Sequence, residues 1–248
     1  MRGPRYWAWA TEGRQVAYAP VRTVLSRHRL FRIPVVRSLI SLAEMLVLMV
    51  SIHRRNGLRR GARLLALLLV AVAGDLGLSL VVPFVVPNML LANIVGTVLM
   101  FGLGIGALRL GMGKTVWQYH GAEHKAVNAY EGGADLDDLD DVARYSRIHD
   151  RCGTNLIVIA LLITLVSYFV LASLPLLLGS LFSLFVIGVS LELFRLIGQR
   201  PTSRASRVFL AGGRALQRSV TTVEPGQEHL RLACDALRRV LELEAGPA

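Results

Sequence analysis

The sequence predicts an all-α fold. It reads as a polytopic membrane protein whose four transmembrane helices form two hairpins, with an added interfacial or partly inserted helix, a small N-terminal hairpin and an amphipathic C-terminal helix. Three observations carry this reading. The 248 residues are 53% hydrophobic and only 18% charged, with a mean hydropathy of +0.50, which does not describe an ordinary soluble domain. Apolar runs at 64–86, 89–111, 155–173 and 176–197 approach or exceed the roughly 20 residues that a bilayer crossing needs. If these four runs cross, all 28 Lys and Arg lie on one side: thirteen in 1–63, six in 109–153 and nine in 195–248. That is a positive-inside pattern, which places both termini and the segment between the second and third crossings in the cytoplasm of a multi-pass cell-membrane protein.

The net charge of +11 belongs to those membrane flanks. No Lys/Arg-rich block interleaved with aromatics is present, so nucleic acid is not an expected partner, and membrane lipid is. Two cysteines, Cys152 and Cys234, make no disulfide framework and should be reduced if both face the cytoplasm. The basic N-terminus has no apolar stretch within its first thirty residues and does not read as a signal peptide.

In residues 1–34, Trp7-Ala8-Trp9-Ala10 and Val16-Ala17-Tyr18 flank a Glu12-Gly13 turn signal, which predicts a β-hairpin. Residues 35–63 hold an apolar run at 35–52 that carries Arg37 and Glu44, followed by a basic connector from His53 to Arg60. Counting 35–52 as a crossing would put basic segments on both sides, so it is read as an interfacial or partly inserted helix. Residues 64–111 form the first transmembrane hairpin, with Asp75 in mid-run, Pro87-Asn88 at the turn, and glycines 102, 104 and 106 that allow close helix contact. Residues 112–154 are a cytoplasmic motif loop, and 155–197 are the second hairpin, with Pro175 at its turn. Asp75, Glu44 and Glu192 are costly in lipid and should face protein or water; Glu192 and Arg195 are spaced for an ion pair. In 198–248, Thr221-Thr222-Val223-Glu224-Pro225 resembles a capping box with Pro at a helix start. Leu230, Ala233, Leu237, Val240 and Leu241 then recur at helical spacing, which predicts an amphipathic helix over 224–244, with Cys234 in its core face.

The stretch Trp117 to Gly133, WQYHGAEHKAVNAYEGG, carries the rare ligand-type residues. His120-Gly121-Ala122-Glu123-His124 fits H-x-x-E-H, the ligand order of the inverzincin metalloproteases. On a helix, i and i+4 imidazoles reach one metal ion, and Glu123 beside them is placed to act as general base. His149-Asp150-Arg151-Cys152 offers an imidazole and a thiol three residues apart, a common ligand spacing. His120, His124, His149 and Cys152 would fill a closed tetrahedral, structural site. A catalytic site would use three of them, or His120, His124 and a carboxylate such as Glu131. Spacing alone does not decide between these. Lys125 and Arg151 suit an anionic substrate, a lipid headgroup or an interfacial anchor, and Trp117 and Tyr119 suit an aromatic belt. The aspartates from Asp135 to Asp141 read as a solvated helix start.

WQYHGAEHKAVNAYEGG, HDRCGT, LELFRL and LQRSVTTVEPGQEHLRLACDALRRVLELE together resemble the YqhQ-like family, bacterial integral membrane proteins of unknown function that are often described as predicted metal-dependent enzymes. The similarity runs over nearly the whole chain from Met1-Arg2-Gly3-Pro4. The family usually carries a short segment with glycines and a glutamate ahead of that element, and a proline where Asp150 stands. The resemblance implies a metal and a membrane but no established reaction. The expectation is a divalent metal, zinc by its donors, in a metal-dependent hydrolase at the cytoplasmic membrane surface; the alternatives are a non-catalytic scaffold with a structural metal site, or a transporter using Asp75, Glu44 and Glu192.

Overall fold

The computed structural model describes residues 6–10, 16–20, 33–55, 70, 73–74, 77–78, 81–82, 84–171 and 176–246. Asp75, the Glu12-Gly13 turn and most of the 64–86 run lie outside them. The described residues form a mostly helical chain with one small antiparallel hairpin. Its elements are β1 (Tyr6–Ala10), β2 (Val16–Pro20), α1 (Pro34–Arg55), α2 (Met89–Gly111), α3 (Gly113–Glu131), α4 (Leu139–Arg144), α5 (Gly153–Leu171), α6 (Leu176–Gln199), α7 (Arg204–Leu216), a π-helical turn (Gln217–Thr221) and α8 (Gln227–Ala245).

These elements divide into two compact units, each assembled from separated stretches of chain. The first comprises Met1–Val24, Met112–His149 and Arg214–Ala248. Its centre is the packing of α8 on α3. Ala122, Ala126 and Ala129 make a stripe of small side chains on α3, and Leu230, Ala233, Cys234 and Leu237 make the matching stripe on α8. The spacing i, i+4, i+7 keeps each stripe on one face. Leu136 and Val142 close the cluster from the α3–α4 connection and α4. The hairpin covers the other side of α8, with Ala8 fully buried against Ala236 and Val240, and Tyr6 paired in register with Pro20. The Tyr6 N–H donates to Glu244 at 2.9 Å, and the Arg239 guanidinium lies 4.5 Å above the Tyr18 ring.

Thr221–Glu224 do not form the expected capping box. Helix α8 begins at Gln227 behind the N-cap Gly226, and Glu224 is an ion-pair partner instead of a cap. The segment 112–154, read as a loop, is largely helical. A break at Gly113, whose φ of +74 is a conformation that side-chain-bearing residues rarely adopt, separates α2 from α3. The aspartate run does start a helix: Asp138 accepts from the N–H groups of Asp140 and Asp141 at 3.1 and 3.0 Å and caps α4.

Cys234 is fully buried in the first unit, and that burial pushes its thiol up to about 11. The thiolate is the reactive form. Cys234 is therefore expected to resist maleimide at pH 8 until the unit unfolds; rapid labelling of native protein would refute this core assignment. Because burial holds the folded thiol above its ordinary value of 9.0, its contribution to stability is intact below pH 9 and is lost as pH rises through about 11.

The second unit comprises Leu25–Gly111 and Asp150–Gly213. Among the described residues one helix, Leu90–Gly111, is long and apolar enough to cross a membrane, and Gly153–Tyr168 is a shorter apolar helix. Many α2 side chains are uncovered by protein, Leu110 at 86% and Leu103 at 59% exposure among them. Thr97 on α2 is hydrogen-bonded to Tyr168 on α5. Glu192 on α6 is held by Arg37 and Ser38 of α1 and by Arg195, so the expected i, i+3 pair is part of a larger network. Ile159, Ile197 and Leu210 form a second buried cluster.

Candidate metal centre

Helix α3 carries the candidate site on the face next to its alanine stripe. The rings of His120 and His124, one helical turn apart, meet edge-on with centroids 4.4 Å apart. Each ring is anchored through Nδ1: His120 to the Thr221 carbonyl at 2.6 Å and His124 to the Arg147 carbonyl at 2.8 Å. A carbonyl oxygen only accepts, so Nδ1 carries the proton in both neutral rings and the lone pair sits on Nε2. This is the outer support that metal-binding histidines ordinarily have.

Those two carbonyls are supplied by local structure. The π-helical turn closes with the Thr222 N–H on the Gln217 carbonyl at 3.1 Å, and Thr221 is its last residue, where helix carbonyls lack an in-helix partner. Residues 143–148 lay their backbone along the polar side of α3: Lys125 donates to the Ala143 carbonyl at 2.5 Å, and Asn128 to those of Ser146 at 2.7 Å and Ile148 at 3.0 Å. Gln217, fully buried, pairs with both backbone groups of His149, at 2.9 and 3.1 Å. The strand-like segment after Thr221 presses on α3 so closely that a Cβ at Gly121 would collide with the Val223 carbonyl.

A charge cluster around the buried Lys125 fixes this arrangement. The Lys125 side chain is 6% exposed and its ammonium lies 2.7 Å from Glu224, whose other oxygen is 3.5 Å from Arg147. Arg147 also donates to the Thr222 carbonyl at 2.8 Å and the Arg218 carbonyl at 3.1 Å. Lys125 is thus committed within the protein and is not a headgroup anchor. Trp117 is 7% exposed, and Tyr119 is stacked edge-on against His229 at 4.6 Å.

The other anticipated ligands are distributed as follows. His149 places Nε2 at 3.6 Å from Glu131, with its ring 5.8 Å from that of His124. Cys152, buried, caps α5: its sulfur accepts the Thr154 N–H at 3.4 Å and its thiol donates to the Thr154 hydroxyl at 3.3 Å. Among the described residues, His120, His124 and Cys152 are the group that could hold a metal ion. Their donors, two borderline nitrogens and a soft sulfur, fit zinc. Glu123, half-buried beside the two histidines, has no hydrogen bond or ion pair among the described residues. Asn128 and Gln217 escaped the sequence reading and Glu224 was read there as part of a cap, because each acts on a partner at least 18 residues away.

A family model described as a protein of unknown function, DUF1385, matches residues 33–243. The uncharacterized protein YqhQ of Bacillus subtilis (strain 168) is 32% identical over 136 residues, which cover 53% of this chain and 42% of that protein. The chain therefore matches less than half the length of this curated relative. No solved structure matches.

Proposed function

We propose, for a chain that belongs to the DUF1385 family of proteins of unknown function, a metal-dependent hydrolase embedded in the cell membrane, with its site at the cytoplasmic surface. The observation that carries it is the pair of imidazoles on α3, each with Nδ1 held by a backbone carbonyl, so that the lone pair of the neutral ring is on Nε2. His120, His124 and Cys152 would hold the metal, and three protein ligands, rather than four, are the pattern of catalytic zinc sites. A bound zinc ion would polarise a carbonyl and acidify water. Glu123 would take the proton of the attacking water and return it to the leaving group. His149, with Glu131 beside its Nε2, would order the rim of the site. The candidate substrates are peptides or lipids with a hydrolysable carbonyl.

The membrane reading is supported by the uncovered apolar α2, the apolar α5 and the one-sided Lys and Arg. It takes four crossings in two hairpins, α1 at or in the cytoplasmic face, and both termini in the cytoplasm.

The test is elemental analysis of detergent-purified protein beside His120→Ala, His124→Ala and Cys152→Ala. The expected result is about one zinc per chain, lost in each variant. If no metal copurifies and added zinc leaves the melting temperature unchanged, the metal reading fails.

A further inference from the structure

Four residues after α6 ends at Gln199, helix α7 begins. Ser203 sets its start by accepting the Ser206 N–H at 3.1 Å. Ser206, Leu210 and Gly213 recur at i, i+4 and i+7 and are buried, and Leu210 joins Ile159 and Ile197 in the second unit's core. The inner face of α7 is therefore committed. Its outer face presents Arg204, Arg207 and Ala211, all exposed, with Val208 among them at 75% exposure, and Arg200 is exposed just ahead. Among the described residues, none of these three arginines has a carboxylate partner. No Asp or Glu occurs between Glu192 and Glu224, a stretch that holds six arginines.

We propose that the outer face of α7 docks on anionic phospholipid headgroups, with Arg200, Arg204 and Arg207 on the phosphates and Val208 at the acyl boundary. The inference rests on the reading of α6 as a membrane crossing. Two arguments select this occupant. Residues 200–203 span at most about 14 Å, so the start of α7 stays within that reach of the end of α6. The cytoplasmic leaflet is anionic and attracts clustered cations there, and a guanidinium matches phosphate in a bidentate way. A solvated helix face gains nothing from arginines without interspersed acids, because they repel one another.

The experiment uses the full-length protein in nanodiscs of phosphatidylcholine alone or with about a third phosphatidylglycerol. A fluorophore is attached through Val208→Cys, and the parent chain, whose two cysteines are buried, is labelled in parallel as background. A second label through Leu103→Cys on α2 reports the membrane reading separately. Phosphatidylglycerol is expected to cut iodide quenching at position 208 several-fold and to raise quenching by brominated lipid. Arg200→Gln, Arg204→Gln and Arg207→Gln together should reverse both changes. Equal quenching in the two lipid mixtures, with position 103 in lipid, would overturn the headgroup proposal and leave the membrane reading standing. Water access at position 103 would overturn the membrane reading and this inference with it.

Discussion

Glu123→Gln is expected to leave the metal and the fold in place and to lower hydrolysis by about 10²- to 10⁴-fold, the range for loss of a general base. Glutamine keeps the shape and polarity of the side chain but has no basic oxygen. The carboxylate is half-buried and untied among the described residues, so the exchange should change stability by no more than about 0.5 kcal/mol. Three measurements on one variant separate the readings: zinc content, melting temperature and turnover against peptide and lipid ester panels. In a scaffold with a structural metal, none of the three changes. In the proposed hydrolase only turnover changes, and a Glu123→Gln protein as active as its parent would remove Glu123 from the chemistry.

Glu224→Ala is expected to destabilise the first unit by about 2–4 kcal/mol, although the Glu224 side chain is itself 66% exposed. The reason lies with its partner. Lys125 is 6% exposed and would keep the Ala143 carbonyl at 2.5 Å and the remaining packing around it, but no counter-ion on that side. Lys125→Met removes the buried charge together with its need, and should cost less, about 1–2 kcal/mol for the carbonyl left without its donor. The double variant should therefore cost less than the two singles added together. Chemical melts of the four proteins in detergent give the cycle. Strict additivity would show that Lys125 and Glu224 do not interact, and the account of how residues 143–148 are held on α3 would have to be abandoned.

Much of the architecture was legible along the chain because it rests on short-range rules. The hairpin followed from alternation around a turn signal, α2, α5 and α6 from apolar runs, and α8 from a 3.6-residue stripe whose core face includes Cys234. The i, i+4 spacing of His120 and His124 likewise needed only a helix to bring the rings together. The same local logic misread Thr221–Glu224, where a capping pattern was present and a distant cation claimed the glutamate.

What the sequence determined by itself, then, is what periodicity and spacing can encode: helices, a hairpin, the membrane-type composition and the metal-type residues concentrated around Trp117–Cys152. The tertiary structure alone decided which groups serve those residues. It gathered Met1–Val24, Met112–His149 and Arg214–Ala248 into one unit, set the carbonyls of Thr221 and Arg147 on the two histidines, buried Lys125 against Glu224, and gave His149 to Glu131. The physical reason is one of range. A helix closes its hydrogen bonds within four residues, so local sequence specifies it. A carbonyl that orients a histidine 101 residues away carries no side-chain signature at all, and its position follows only from how the helices pack.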